Sequence, residues 1–268
     1  MSRGVHGAGG RGPAGRAEVA ARGEGAELRR MLLRTVLPTG VVLAAVLAVY
    51  GGTGHDLTII LQDRFPDDSE WSGVLTVVAG SALMVCAGVA LGALVVARTL
   101  RGTRGGAPPV ERAGLALATL LIVLGFDDMM MVHDAVLPGA GVPEDVGLAL
   151  YAVLGVGLAA WALPPLRGAG LSLCFVAALA LLAGSLGGDV LESLVEDSAP
   201  GPAGVLGHAE DVVKLLAYSA LGRVGVLVGR RVLDGAVAGA TQRPGSTQRS
   251  PGGVGGADDS SVTIPLRF

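Results

Sequence analysis

The stretch ERAGLALATLLIVLGFDDMMMVHD, residues 111–134, decides how this chain is read. It is an apolar run of membrane-spanning length that ends in Asp127, Asp128, His133 and Asp134. A spanning helix needs about 20 predominantly apolar residues. A charged side chain near the bilayer centre costs roughly 2.5–3.5 kcal/mol, so intramembrane carboxylates are a functional-site hypothesis by default. Two later apolar segments carry groups of the same kind. GGDVLESL brings Asp189, Glu192 and Ser193, and GHAEDVVKLLAY brings His208, Glu210, Asp211 and Lys214.

Composition places the whole chain with membrane proteins. It is 51% hydrophobic and 16% charged, with a mean hydropathy of +0.60, outside the soluble globular range. The Gly and Ala excess implies close backbone approaches between helices, and Gly88-xxx-Gly92 and Gly184-xxx-Gly188 have the spacing for them. Cys86 and Cys174 both fall inside apolar segments and read as structural thiols, not as a disulfide or a metal pair. Met129, Met130 and Met131 read as packing residues. No phosphate loop, dinucleotide fingerprint, HExxH, CxxC or GxSxG occurs. The basic residues only mark one membrane face, which removes support for nucleic-acid binding.

The expected fold is all-α, a polytopic transmembrane bundle of six helices at about 31–50, 72–97, 113–136, 146–163, 169–191 and 206–229. Residues 1–30, rich in Gly and Arg, read as a disordered arm; 31–231 form the transmembrane domain; 232–268 read as a flexible tail. The first segment is too long for a leader peptide's apolar core and reads as a signal anchor. Arginine sets the orientation. It fills the arm, the second connection (Arg98, Arg101, Arg104, Arg112), the fourth (Arg167) and the end of the sixth segment (Arg230, Arg231). The odd-numbered connections carry Asp56, Asp63, Glu144, Asp145, Glu196 and Asp197 instead. Both termini are therefore expected in the cytoplasm of a multi-pass plasma-membrane protein. Asp127 lies 127 − 112 = 15 positions beyond Arg112, about 22 Å along a helix, which places it in the outer half of the bilayer. Tyr50, Trp71 and Tyr151 then fall at outer helix ends and Trp161 at an inner one, as interfacial anchors.

Helical spacing groups the polar residues. His208, Asp211, Lys214 and Tyr218 share a face, and Glu210 can pair with Lys214 one turn on. Paired with Asp211 and a carboxylate from the third or fifth segment, Lys214 would lock the bundle. Ser185, Asp189, Glu192, Ser193 and Glu196 form a second stripe. Asp127 and Asp134 are expected to face the centre with His133 at its edge, Asp128 lying about 100° to one side. Asp127, Asp128, Asp134, Asp189, Glu192, Glu210 and Asp211 face one Lys and two His, so either several carboxylates are protonated or a cation sits among them. The first reading is a divalent metal (zinc, iron or manganese) held by Asp127, His133, Asp134, Asp189, His208 and Asp211. Glu192 or Glu210 would act as general base on metal-bound water, and Lys214 would neutralise the carboxylates or stabilise an oxyanion. The depth of the site suggests hydrolysis of a lipid-like substrate. A second reading is a proton- or cation-coupled transporter using the same groups, opposed by an inner half that is nearly all apolar until Arg223. A third places haem between His133 and His208. The bland alternative, carboxylates that cap helix ends and wet the interface, explains Glu196 and Asp197 well but Asp127 and Asp128 poorly.

FDDMMMVHD followed by AEDVVKLL resembles a group of uncharacterised bacterial polytopic proteins, in which a DD-x₄-H-[DE] helix is paired with a later acidic-x₃-K-L-L helix. The resemblance covers segments three to six and brings no activity with it. A looser similarity is to the membrane hydrolase superfamily of alkaline ceramidases and progestin/adiponectin-type receptors. That similarity implies seven helices and a zinc on three His. With six segments and no HxxxH pair, a metal in this chain would need carboxylate ligands.

Overall fold

The apolar runs are helical, the conformation that pairs backbone N–H and C=O groups within the segment, as a membrane span would require. The computed structural model describes residues 13–53, 74–102, 108–130, 132, 136–196 and 200–241, and every regular element among them is helical. Helix α1 (Pro13–Met31) runs through a π-helical turn (Leu32–Val36) into α2 (Leu37–Gly52). Helices α3 (Val74–Arg101), α4 (Pro109–Met130), the single turn α5 (Leu137–Gly139), α6 (Glu144–Gly168), α7 (Ser172–Glu196) and α8 (Pro200–Thr241) follow. Among the described residues, Ala21–Val49, Leu75–Arg101, Pro109–Met130, Ala149–Gly168 and Leu206–Thr241 are the five stretches long and apolar enough to cross a membrane. The expected segment at 169–191 corresponds to α7, whose apolar run Ser172–Gly188 is shorter. A tight link joins α6 to α7. Gly170 takes φ +71°, and the Leu171 N–H donates to the Leu166 carbonyl, a helix end that a side chain on Gly170 would strain.

Two helices form the middle of the bundle. Helix α8 packs against α7, α3 and α4, and α4 packs against α3, α6 and α8. Leu117, Leu121, Phe175, Leu221, Val224 and Val228 meet there in one core, each inaccessible or nearly so. Helix α6 packs mainly on α4 and touches α7 lightly, while α2 touches α8 lightly. The tightest crossing joins α3 to α4. A Cβ on Gly80 would lie 2.8 Å from the Gly125 carbonyl oxygen, and one on Gly125 would lie 2.7 Å from that of Gly80. Of the two expected GxxxG contacts, Gly184/Gly188 does face α8, where a Cβ on Gly188 would lie 3.1 Å from the Glu210 side chain. Gly88 and Gly92 face open space instead, with nothing within 4 Å. Spacing alone does not identify which side of a helix has a neighbour.

Other differences concern the ends. The arm expected to be irregular over 1–30 is helical from Pro13. Its EVAARGEGAELRR stretch is rich in Ala, Glu and Arg, strong helix formers that offset the interspersed glycines. The arm also docks: the Ser172 hydroxyl donates to Glu24 at 2.9 Å. Helix α8 likewise continues to Thr241, beyond the expected boundary at 231, while 242–268 lie outside the described residues. Both cysteines are free thiols. At the α3–α4 connection, Glu111 is buried and pairs with Arg101 and, at 3.8 Å, with Arg98.

Candidate functional site

Helix α4 is enclosed on several sides, so two adjacent residues near its end can both be buried while pointing about 100° apart. Asp127 is 7% exposed and Asp128 5%. Asp127 accepts a hydrogen bond from Tyr151, near the start of α6. Asp128 is addressed from α8. Its Oδ1 accepts from the Tyr218 hydroxyl at 2.9 Å and lies 3.2 Å from Lys214 Nζ. Lys214 and Tyr218 are four residues apart, hence stacked on one helix face. Glu210, one turn earlier on that face, accepts from the Ser185 hydroxyl of α7.

These groups share a cavity of about 650 Å³ enclosed by α4, α6, α7 and α8. Asp127, Asp128, Tyr151, Ser185, Glu210, Lys214 and Tyr218 line one part of it. Leu120, Leu124, Ala159, Leu179 and Leu182 line the rest. The polar part lies near the end of α4 and the start of α6, beside the middle of α7 and the first half of α8, away from the Glu111 end of α4. The result is an apolar pocket with a carboxylate-rich head, bounded on one side by the loosely attached α6.

The expected residues divide into three groups. Asp127, Glu210 and Lys214 line the cavity together. His208 and Asp211 lie at the same end of α8 but do not line it. His133 and Asp134 lie outside the described residues, as do the side chains of Asp189 and Glu192. Two expectations about contacts change and one is met. Lys214, expected to pair with a carboxylate from the third or fifth segment, reaches across to Asp128. Asp128, expected to one side of the central line, makes that cross-helix ion pair. Tyr151, read as an interfacial anchor, bonds Asp127 and lines the pocket. Ser185 and Tyr218 had been visible only as members of stripes; a hydroxyl one turn from a buried charge was their signal. Met129 packs as expected, against Gly80 and within 3.8 Å of the Ser81 hydroxyl.

Of the six residues expected to hold a metal, His133, Asp134 and the side chain of Asp189 lie outside what the structure describes. Asp127 faces the cavity and His208 and Asp211 do not, and among the described residues no three His, Cys, Asp or Glu side chains gather around a point. What the arrangement offers is a set of hydrogen-bonding and charged groups in apolar surroundings, where each electrostatic contact is stronger than in water.

A family model described as a domain of unknown function, DUF8692, matches residues 32–227. The matched span starts at the π-helical turn and ends within α8, so it contains every residue of the cavity. No curated protein and no solved structure matches the chain.

Proposed function

The chain belongs to the DUF8692 family, and we propose that it is a multi-pass plasma-membrane protein that takes a lipid-like amphiphile into the cavity between α4, α6, α7 and α8. In this reading there are six spans, both termini are cytoplasmic, and the polar part of the cavity lies in the outer half of the bilayer. The observation that carries it is the lining. One pocket of about 650 Å³ joins seven polar side chains to a leucine- and alanine-rich remainder, within the range of about 300–1,000 Å³ common for small-molecule sites. A head group would meet the carboxylates while its chain occupied the apolar part. The alternation of arginine and acid along the sequence supports the orientation.

Photocrosslinking of the purified protein with a diazirine-bearing single-chain lipid tests the reading. Label should map to α6 and α7, and Ala183→Phe, which fills the cavity, should remove it. Labelling unchanged by Ala183→Phe would put the lipid elsewhere. Orientation is tested separately. Cysteines placed at Ser69 and Ser246 should respectively react with, and resist, an impermeant thiol reagent in intact cells. Reversed labelling would overturn the outer-half placement.

A transporter coupled to protons or cations is the second reading, favoured by the Lys214–Asp128 pair inside two spanning helices. Against it stand the apolar residues Leu117, Leu121, Leu221 and Val224, which close the core on the inner side of the pair. Flux in proteoliposomes that is abolished by Asp127→Asn would promote it.

A further inference from the structure

We propose that the cavity opens sideways between α6 and α7, and that its occupant is a bilayer lipid that enters and leaves by this mouth without crossing water. The proposal rests on the cavity being an amphiphile site and adds the source of the occupant and its route. Helices α6 and α7 are joined by only three residues, 169–171, a link short enough to lay two antiparallel helices side by side. They nevertheless touch only lightly, whereas α3 and α4, and α7 and α8, pack extensively. The cavity occupies the gap that this leaves. On the α4 and α8 sides its wall is closed, and Leu120, Asp127, Asp128 and Tyr218 are buried. On the other two sides it reaches the surface. Leu154 and Val156 of α6 and Leu186 and Val190 of α7 all line the cavity, and they are 44%, 70%, 51% and 59% exposed. Gly155 also lines it, and a Cβ there would meet nothing within 4 Å. The space beside α6 is therefore open at this level.

Leu154 lies fourteen positions before Gly168, where α6 ends, and Leu186 fourteen after Ser172, where α7 begins. In an antiparallel pair this sets both at one depth, about 21 Å from the link. Ser185, the neighbour of Leu186, is buried and donates to Glu210. The mouth is thus level with the polar part of the cavity, and a head group reaches it by moving sideways, not along the bundle axis. The four rim residues are all apolar. Such a rim offers a water-borne solute no replacement for its hydration, but suits a molecule already in hydrocarbon. Leu154 and Val156 fall in Ala149–Gly168, long and apolar enough to cross a membrane, and Leu186 in the apolar run Ser172–Gly188. Acyl chains of the bilayer are therefore what would lie against the mouth. The apolar lining runs from Asp127 back to Leu120, seven positions, or about 10 Å. One leaflet's chains are about 15 Å deep, half of the hydrocarbon core. A chain of that length overfills the pocket, and the mouth lets its remainder stay in the bilayer.

A cysteine pair tests the route. Leu154→Cys with Leu186→Cys, in the full chain in proteoliposomes, closes the mouth on oxidation, and a short bismaleimide bridges the pair if the disulfide does not form. Thiol counting confirms closure, and the unmutated protein treated in parallel controls for Cys86 and Cys174. The probe is a diazirine-bearing monoacylglycerol. Added after closure, it should fail to label the cavity. Added before closure, it should stay and label the cavity despite an excess of unlabelled monoacylglycerol, and reduction of the disulfide should restore exchange. Gly155→Leu narrows the same gap without cysteines and should slow labelling; an unchanged rate would count against the route. Labelling as strong in the closed protein as in the open one, yet lost in Ala183→Phe, would refute the lateral mouth and keep the amphiphile site. Labelling of the unmutated protein that is absent, or indifferent to Ala183→Phe, would overturn the site itself.

Discussion

Helix α4 carries a buried carboxylate near each end, and the bundle treats them differently. Glu111, with a side chain 1% exposed, pairs with Arg101 and Arg98, whose side chains are 22% and 61% exposed. Both arginines belong to α3, the preceding helix, and reach out to solvent. Asp128 pairs with Lys214, and this time both partners are enclosed, at 2% and 16%. Its partner comes from α8, and the pair borders a cavity that holds two further carboxylates. Burial and ion pairing are therefore common to both ends and do not distinguish a site from a clasp. The distinction lies in the cavity and in the excess of negative charge around it. At the Glu111 end positive charge is plentiful and shared with water, so the pair ties one helix to its neighbour. At the Asp128 end it is scarce.

The largest effect should follow from removing that scarce charge. Lys214→Met leaves Asp128 buried without its ammonium, and breaking a buried pair typically costs about 3–5 kcal/mol. Arg223→Met provides the reference on the same helix. The Arg223 Nε is buried and makes no hydrogen bond, so its loss removes an unsatisfied donor along with the charge. Melting of both variants in one detergent should show a large fall for Lys214→Met and a small change for Arg223→Met. Equal shifts would mean that the Lys214 pair is no more than a solvated contact.

A smaller effect separates backbone contact from charge. Gly125 precedes the two aspartates by two and three positions, and its Cα hydrogens face the Gly80 backbone. A methyl group there would sit 2.7 Å from the Gly80 oxygen. The crossing of α3 and α4 would have to open, and overpacking of this kind costs about 1–3 kcal/mol. Gly88→Ala, on the same α3 but facing open space, should be neutral or stabilising by up to about 1 kcal/mol through helix propensity. If Gly125→Ala melted like Gly88→Ala, the crossing would not be what holds the aspartates in place.

These residues also show what was legible beforehand. The helices were readable because twenty apolar residues have few other fates, although only five of those described are long and apolar enough to cross a membrane, and the polar end of the bundle followed from where charge interrupted them. The ranking of Asp127 over Asp128 was not readable. A helical wheel assumes one buried side, whereas α4 is packed by α3, α6 and α8 together, which gives each aspartate its own neighbour. The contact of Tyr151 with Asp127 was not readable for a related reason. An aromatic residue near a helix start suits an interface equally well, until the opposing helix is known to present a carboxylate. The helical arm escaped notice because glycine and arginine dominate its composition, while its Ala and Glu residues and the Glu24–Ser172 contact decide its conformation.

The smallest effect is a matched pair of single-atom changes, one at each end of α4. Glu111→Gln keeps the shape of the side chain and removes its charge. Its arginine partners remain hydrated, and the amide oxygen can still accept from one of them, so the loss should be about 1 kcal/mol or less, as for solvent-exposed pairs. Tyr218→Phe deletes the hydroxyl that donates to Asp128 at 2.9 Å. A hydrogen bond to a charged group is worth about 1.5–3 kcal/mol, and the remaining contact with Lys214 should keep the cost near the lower end. Melting of the two variants in one detergent should therefore show Glu111→Gln close to the unmutated protein and Tyr218→Phe measurably below it. Equal shifts, or a larger fall for Glu111→Gln, would show that the two ends are not separated in the way their surroundings indicate.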